Sequence, residues 1–302
     1  MLHQQAGAVR AVMQKLPFDP GLRSASPEDA VAAGTICYAA FKAIAEQHAF
    51  PPDFPDPHIA IGLMQQLVAR PDVYGVVAEL DGRVVGSNFL WEGDPVAGVG
   101  PITVDPAVQN GRIGRKLMQA VLDRAHARRI ASVRLVQAAY HGRSLSLYTR
   151  LGFVAREPLS VVQGPALNMR FDGYEVRGAS AADIETADDL YRRIHGHARS
   201  SELRAAVEQG TAAVVERGGR ITGYTTGIGF FGHTVGETIA DLQALIGAAP
   251  SFPGPGFFVP TRNTALLRWS LERGLRIVQP MTLMSMGPYQ EPKGPFLPSV
   301  LY

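Results

Sequence analysis

Residues 101–118 constrain the fold more than any other segment, because they predict a strand, a tight loop and the start of a helix in direct succession. Ile102 and Val104 suit a strand, and Asp105-Pro106 ends it because proline has no N–H to donate to a neighbouring strand. The loop 109–114 contains two glycines, which let the backbone turn tightly. After it, apolar residues recur at helical spacing. This unit indicates a mixed α/β domain.

The helix start in this unit has the features of an anion-binding site. The first N–H groups of a helix have no partners within the helix, and the helix dipole is positive at that end. Arg112, Arg115 and Lys116 add cationic side chains, so the loop suits a phosphate or pyrophosphate group. Neither the Walker sequence Gly-x-x-x-x-Gly-Lys-Ser/Thr nor Gly-x-Gly-x-x-Gly is present in this loop. A nucleotide-binding protein therefore stays open only as a third interpretation.

A second motif about thirty residues later, Ser144-Leu-Ser-Leu-Tyr148-Thr-Arg-Leu-Gly152-Phe153, forms a pair with the loop. Together the two motifs resemble the GNAT family of acyl-CoA-dependent N-acyltransferases. The family's phosphate loop is commonly written Arg/Gln-x-x-Gly-x-Gly/Ala. Gln109 matches its first position and Gly114 its last, whereas Arg112 stands where the first glycine is usual and Gly111 lies one place earlier.

The family's later helix often has the pattern Asn-x-x-Ser/Ala-x-x-Leu/Phe-Tyr-x-x-Leu/Met-Gly-Phe. His141 occupies the place of the asparagine. The positions that match are Ser144, Leu147, Tyr148, Leu151, Gly152 and Phe153. The resemblance extends over residues 20–172, which indicates an acyl-CoA-binding domain in the first half of the chain.

After residue 172 the pattern of the first half starts again, with a period of about 150 residues that is far longer than solenoid repeats. Ser180-Ala-Ala-Asp183 repeats the helix start Ser26-Pro-Glu-Asp29, and residues 263–275 repeat the helix of Tyr148. We therefore predict an α/β fold (α+β mixed sheet) of two tandem GNAT-like acyl-CoA N-acyltransferase domains, at 1–172 and 173–302. At the position of the phosphate loop, the second copy has Glu237 and Asp241, which would repel pyrophosphate. We expect this copy to be degenerate and to bind no CoA.

The Pro/Gly-rich tail, residues 287–302, ends in apolar residues. We expect it to pack along the body of the protein or into the groove of the first domain. The last predicted strands of the first domain are at Phe153-Val154 and Leu167–Phe171, and Val96–Val104 is predicted as one strand.

The resemblance implies transfer of an acyl group, most simply acetyl, from acetyl-CoA to a primary amine. Tyr148 is then the candidate that donates a proton to the leaving thiolate. Glu92 is the first candidate for the general base, and Glu79 is the second choice. Backbone N–H groups near Ile102–Val104 would hold the thioester carbonyl. The candidate residues for acetyl-CoA are Ile102, Thr103, Val104, Gln109, Asn110, Gly111, Arg112, Ile113, Gly114, Arg115 and Ser144.

The acceptor side of the site is less defined by the sequence. Candidate contacts lie in and around the proline-rich loop 50–57, and an ordinary packing role is the alternative for each; they are His48, Phe50, Phe54 and His58. Ser144 could be a helix cap, and His141 a CoA contact, a base or a loop residue. A small amine, an amino acid, an antibiotic and a protein N-terminus all stay open. The formal charge of +2 and the aromatic loop favour a small molecule.

Composition excludes several other classes of protein. A nearly balanced charge is untypical of a nucleic-acid-binding protein, and no apolar run reaches the length of a membrane span. The single cysteine, Cys37, lies on the apolar face of a predicted helix, where a structural role is expected. These features and the lack of a signal-peptide pattern predict a cytoplasmic protein. The few lysines suggest a bacterial GC-rich genome. His195 and His197 lack further ligands, so no metal site is predicted.

Two functions therefore compete. The first is an N-acetyltransferase whose second domain shapes the acceptor site or supports a homodimer. The second is an acetyl-CoA-binding sensor or structural module without turnover, which the order Gly111-Arg112 and the unassigned base permit.

Overall fold

The computed structural model describes residues 20–109 and 111–302. Asn110 and the N-terminal segment before residue 20 lie outside the described residues. The helices are α1 (Ala30–Gln47), α2 (Pro57–Ala69), α3 (Ile113–Ala127), α4 (Gly142–Arg150), α5 (Ile184–His195), α6 (Ser200–Glu208), α7 (Ile239–Ala248) and α8 (Thr264–Glu272). None of these helices is both long enough and apolar enough to cross a bilayer.

The strands form two sheets. They are β1 (Gly21–Ser24), β2 (Val73–Leu80), β3 (Arg83–Trp91), β4 (Val96–Val99), β5 (Thr103–Val104), β6 (Ser132–Ala138), β7 (Val154–Gln163), β8 (Glu175–Gly178), β9 (Ala213–Arg217), β10 (Arg220–Thr225), β11 (Thr234–Gly236), β12 (Phe257–Pro260), β13 (Arg276–Met286) and β14 (Phe296–Leu297). The first sheet has the order β1-β2-β3-β4-β6-β13-β7-β12, with β5 paired to β3. The second has the order β14-β11-β10-β9-β8. The predicted mixed α/β fold is confirmed.

Local sequence accounts for most of the element boundaries. Ser26 and Asp29 form a capping box at the turn of 3-10 helix that leads into α1. Asp56 accepts N–H groups of the first turn of α2, and Pro57 begins that helix. The turn between β2 and β3 is Asp81-Gly82, both with positive φ, as a two-residue hairpin requires.

The two halves of the chain exchange a strand. In the first sheet β13, from the second half, lies between β6 and β7 of the first half and pairs antiparallel with both. In turn β7 pairs with β12, from the second half. The predicted strand at Leu167–Phe171 is therefore wrong, because β13 fills the place beside β6 and β7; Phe171 forms only an isolated bridge with Tyr174. The domain boundary at 172/173 stays a prediction. It divides the sequence into two halves, but strands from the two halves pair with each other in the first sheet.

The predicted strand Val96–Val104 is interrupted. β4 pairs in parallel with β6 only as far as Gly98, opposite Arg134. Beyond it β5 turns to pair with β3 at Ser87 and Gly86. The two central strands therefore separate after Gly98, and a cleft opens between β4–β5 and β6.

The C-terminal segment closes one side of this cleft. Tyr302 is buried, and its hydroxyl donates a hydrogen bond to the carbonyl of Val96 at 3.0 Å. Leu301 lies so close to β4 that a Cβ atom on Gly98 would be 2.9 Å from the Leu301 Cβ. The tail was expected to pack along the body or into the groove of the first domain; residues 296–297 pair with β11 of the second half, and Val300 and Leu301 line the groove.

Candidate active site

A cavity of about 1130 Å³ occupies the cleft between the separated strands. One wall is formed by α1, α2 and the loop between them, and the opposite wall by β6 and α4. The second half of the chain also contributes, through Phe230, Phe231, Met281 and Leu301. The cavity brings together most of the predicted site residues, which are Ile102, Thr103, Val104, Gln109, Arg112, Ile113, Gly114, Arg115, Ser144 and Tyr148. Gly111 is not part of the lining.

The phosphate loop is held by side-chain hydrogen bonds. The Gln109 amide donates to the carbonyl of Val104 at 3.2 Å and accepts from Arg143 at 2.9 Å. Arg112 immediately precedes α3 and has a left-handed backbone, with φ of 65°. A glycine at this position would adopt that conformation without strain, which explains why the family motif usually has one there. The loop thus keeps its turn with an arginine side chain facing the cavity.

One main-chain N–H group of β5, that of Val104, lies on the edge of the strand that faces the cleft. The N–H of Asp105 donates to the carbonyl of Val85 in the neighbouring strand at 2.9 Å. Successive N–H groups alternate between the two edges of a strand, so the N–H of Val104 points to the opposite edge, towards the cavity. This donor suits a carbonyl oxygen that acquires negative charge.

Tyr148 lies on α4 at the cavity wall and is 6% exposed. Burial raises the pKa of its hydroxyl to about 12, and a hydrogen bond with Ser144 acts in the opposite direction. The hydroxyl therefore keeps its proton at neutral pH and can donate it. Ser144 is also 2.7 Å from His141 Nδ1, and burial lowers the pKa of His141 to about 4. His141 is thus a neutral partner of Ser144 near pH 7.

The two carboxylates predicted as general bases lie elsewhere. Glu92 is not among the residues that line the cavity, and its carboxylate forms an ion pair with Arg124 at 2.5 and 2.9 Å. Glu79 pairs with Arg23 at 2.8 Å, beside the outer strand β1. Both groups have a cationic partner, so the geometry gives them structural roles and does not support either as the base.

A different carboxylate reaches the cavity. Asp53 lines it from the proline-rich loop between α1 and α2, and its Oδ1 accepts a hydrogen bond from Gln279 at 3.2 Å. Its place in a loop already expected to contact the acceptor was a usable signal. Gln279 could not be found from sequence, because it lies on β13 and reaches this site only through the strand exchange.

The predicted acceptor contacts divide into two groups. Phe54 lines the cavity and packs edge-on against Phe41, with ring centroids 5.8 Å apart. Phe50 and His48 instead contact Tyr140, with centroid distances of 4.3 and 5.2 Å, and so support a residue of the cavity wall. His58 is exposed and does not line the cavity.

The corresponding region of the second half is built differently. Thr238 and Asp241 form a capping box at the start of α7, and Asp241 also accepts a hydrogen bond from Thr222. Glu237 forms an ion pair with Arg220. Ser270, in the place of Tyr148, donates to the carbonyl of Leu266 at 2.9 Å and is fully buried. These side chains form their hydrogen bonds and ion pairs with neighbouring groups of the second half.

No group of three or more His, Cys, Asp or Glu side chains within 20–109 and 111–302 is arranged to hold a metal ion. His195 stacks on Tyr191 with ring centroids 4.2 Å apart, and burial lowers its pKa. Cys37 is fully buried, and burial also raises its thiol pKa. These residues belong to the cores of the two halves.

Replacing Arg112 with Gly should keep the left-handed turn before α3 and remove the positive charge of the side chain. We expect the free energy of unfolding to change by less than about 1 kcal/mol, because relief of the left-handed strain is offset by the greater freedom of the unfolded chain. Affinity for acetyl-CoA should fall about tenfold, the worth of one charge-assisted hydrogen bond to phosphate. Isothermal titration calorimetry measures this. Arg129→Gly is the matched control, since Arg129 is also left-handed, with φ of 57°, at the far end of α3. Equal loss of affinity in both variants would contradict a role for the Arg112 side chain.

Comparisons with known proteins show which proteins the chain is similar to. Residues 41–153 match the sequence profile of the Acetyltransferase (GNAT) family. Over 96 residues the chain is 32% identical to an "IAA acetyltransferase" of Azospirillum brasilense; the match spans 31% of this chain and 62% of that relative.

Solved structures extend the likeness to nearly the whole chain. A candidate acetyltransferase from Pyrococcus horikoshii is 18% identical, with a TM-score of 0.75 over 96% of this chain and 97% of its own. A GCN5-related N-acetyltransferase from Sphaerobacter thermophilus is 16% identical, with a TM-score of 0.59 over 92% and 99%. A tandem GNAT protein from the clavulanic acid biosynthesis pathway is 13% identical, with a TM-score of 0.54 over 90% and 100%. Residues 41–153 are therefore similar to the Acetyltransferase (GNAT) family, and the chain shares its fold along most of its length with a tandem GNAT protein.

Proposed function

We propose that this protein transfers the acetyl group of acetyl-CoA to a primary amine, and that the first half of the chain binds the donor. The observation that carries the proposal is that one cavity is lined by the start of α3, the opened strand β5 and Tyr148. The unpaired N–H groups at the start of α3 suit the pyrophosphate, with Arg112 and Arg115 adding positive charge. The family match and the acetyltransferase relative support the transferred group.

The proposed reaction is direct. A neutral amine nitrogen attacks the thioester carbonyl carbon, a C–N bond forms, and the C–S bond breaks. The N–H of Val104 is suited to the carbonyl oxygen while it carries negative charge. Tyr148 is suited to give its proton to the leaving thiolate, and the proton that the nitrogen loses restores the balance. A formal charge of +2 supports a small acceptor rather than a polycationic peptide.

Tyr148→Phe tests the proposed role of the hydroxyl. We expect the maximal rate of thiol release to fall about 100-fold, the usual contribution of a positioned proton donor. The affinity for acetyl-CoA should stay within about twofold, because the ring remains in place. Thiol release is followed with a panel of aliphatic, aromatic and amino-acid primary amines, and affinity by calorimetry. Tyr74→Phe is the control, since this tyrosine packs under Arg124 and does not line the cavity.

Two results would contradict parts of this proposal. An unchanged rate in Tyr148→Phe would leave this residue as part of the core. If the unmodified protein binds acetyl-CoA but releases no thiol with any amine of the panel, the protein is an acetyl-CoA sensor or structural module.

A further inference from the structure

We propose that the Asp53 carboxylate, oriented by Gln279, binds the ammonium group of the acceptor, and that the acceptor presents this group on an apolar body. The inference rests on the proposed acetyltransferase function and names the class of its second substrate. It also gives the second half of the chain a positioning part in the site, because Gln279, which holds Asp53, lies on the exchanged strand β13.

Asp53 is a carboxylate without a counter-ion. Within the part of the chain that the structure describes, its one hydrogen-bond partner is the Gln279 amide at 3.2 Å, and no Lys, Arg or His forms an ion pair with it. Asp53 is partly exposed as a residue, but burial of its carboxylate at the cavity wall raises the pKa of that group to about 6. At neutral pH it is therefore charged in a site that disfavours charge. A cationic ligand would relieve that unfavourable state.

The groups around Asp53 come from three elements. Cys37 faces it from α1, Tyr140 from the loop after β6, and Gln279 from β13. His48 lies beyond the Tyr140 ring, with ring centroids 5.2 Å apart. Neither the thiol nor the phenol carries charge near pH 7, because burial raises the pKa of both. The electrostatic preference of this corner is thus set by the carboxylate.

Gln279 orients the carboxylate. Its side chain is 2% exposed and is held at both ends, with Nε2 donating to Asp53 and Oε1 accepting from the Tyr140 hydroxyl at 3.5 Å. The hydroxyl fixes which end of the amide faces Asp53. One Asp53 oxygen is thereby hydrogen-bonded, and the rest of the carboxylate is left for a ligand.

Several other residues that line the cavity are apolar, and many of these are aromatic. Phe41 and Phe54 pack together on one side, and Trp91 also lines the cavity. Phe230 and Phe231 approach from the second half, and Met281 lies two residues after Gln279 on the same face of β13. These side chains offer an acceptor no hydrogen bonds beyond the indole N–H of Trp91, which donates to Gly100 at 3.2 Å. They suit an apolar body attached to the amine.

The ion pair also prepares the amine for reaction. An ammonium group must lose one proton before its nitrogen can attack, and the Asp53 carboxylate can accept that proton to give a neutral amine and a neutral carboxyl. Its raised pKa makes it a better proton acceptor than an exposed aspartate. The proton then passes to solvent, so that one proton is released for each amide formed.

The test uses the full-length protein, acetyl-CoA, and four probes: 2-phenylethylamine, hexylamine, putrescine and the neutral analogue 2-phenylethanol. We expect the two apolar monoamines to bind, in calorimetry with CoA present, at least tenfold more tightly than 2-phenylethanol or putrescine. Asp53→Asn should lower kcat/KM for 2-phenylethylamine about 100-fold, which is typical of removing one partner of a buried charge pair. Because Asp53 must be ionised to pair, kcat/KM of the unmodified protein should fall as pH falls below about 6. That dependence should be absent in Asp53→Asn.

Two further variants separate positioning from folding. Gln279→Leu removes the hydrogen bond that lowers the pKa of Asp53, so the fall of kcat/KM should begin at higher pH. A purely structural role for Gln279 would not move that inflection. Asp56→Asn is the matched control on the same loop, because Asp56 caps α2 and does not line the cavity. It should lower thermal stability slightly and leave kcat/KM unchanged.

The outcomes distinguish this inference from the proposed function. If acetyl-CoA does not bind to the unmodified protein, the proposed function fails, and the inference with it. If acetyl-CoA binds and amines are acetylated equally well by Asp53→Asn, only the inference is overturned. Tight binding of 2-phenylethanol, preference for putrescine, or no binding of either apolar amine at about 1 mM, the upper end of usual KM values, would also overturn it.

Discussion

Replacing Gly114 with Glu is expected to lower the affinity for acetyl-CoA about 1000-fold while leaving the fold at least as stable. Gly114 is the second residue of α3, and a Cβ atom there would meet its nearest neighbours, on Leu147 and Val104, at an ordinary 3.8 Å. A carboxylate in the first turn interacts favourably with the helix dipole, and Glu has the higher helix propensity. The same charge would face the pyrophosphate, where like charges cost several kcal/mol.

The matched control for this variant is Ala265→Glu. Ala265 is the second residue of α8 and is exposed, so it receives the same charge at the same helical position away from the cavity. Calorimetry should find normal acetyl-CoA affinity in the control, and thermal denaturation should find both variants folded. Normal affinity in Gly114→Glu would mean that the start of α3 does not hold the pyrophosphate.

Arg199→Ala is expected to lower the free energy of unfolding by about 3–5 kcal/mol, the range for removing one partner of a buried ion pair. Arg199 is 1% exposed and donates to the Tyr302 main-chain oxygen at 2.7 Å, to Ser299 at 2.8 Å and to Glu202 at 2.9 Å. Its guanidinium also stacks on the Tyr302 ring at 3.8 Å. The alanine variant leaves Glu202 without this cation and releases the segment that packs against β4.

Urea denaturation at pH 7 measures this loss, and Arg220→Ala is the control. Arg220 pairs with Glu237 at the surface, where the two side chains are 57% and 27% exposed. Such pairs contribute less than about 1 kcal/mol. A similar small effect for Arg199→Ala would show that the C-terminal segment is held mainly by its apolar contacts.

Elements whose structure depends on neighbouring residues in the chain were predicted correctly from the sequence. The predicted strand Ser132–Ala138 matches β6, and the hairpin at Asp81-Gly82 forms as expected. The phosphate loop was recognised because its residues act as one contiguous segment. Arg112, which departs from the family pattern, takes the backbone conformation that the usual glycine would take. These features need few long-range contacts to form.

Contacts between distant segments were not predictable in the same way. Both β13 and Leu167–Phe171 have a strand-like sequence and could fill the place between β6 and β7. Tertiary packing places β13 there. Glu92 follows an aromatic residue at the end of a central strand, and its ion pair with Arg124 of α3 is a long-range contact that the sequence does not show. The sequence does not distinguish Asp53 from the aromatic residues of its loop as a site residue. Its hydrogen-bond partner Gln279 lies 226 residues away in the chain. The acceptor side of the site therefore depends on tertiary structure more than the donor side does.

The most direct test of the account is a calorimetric titration of the full-length protein with acetyl-CoA. The second half has acidic caps and a buried serine where the first half has its loop and Tyr148. We therefore expect one molecule of acetyl-CoA per chain, with binding lost in Gly114→Glu and retained in Ala265→Glu. Two molecules per chain would show that the second half also binds the donor. Absence of binding would contradict the acetyltransferase function and leave the fold as the established result.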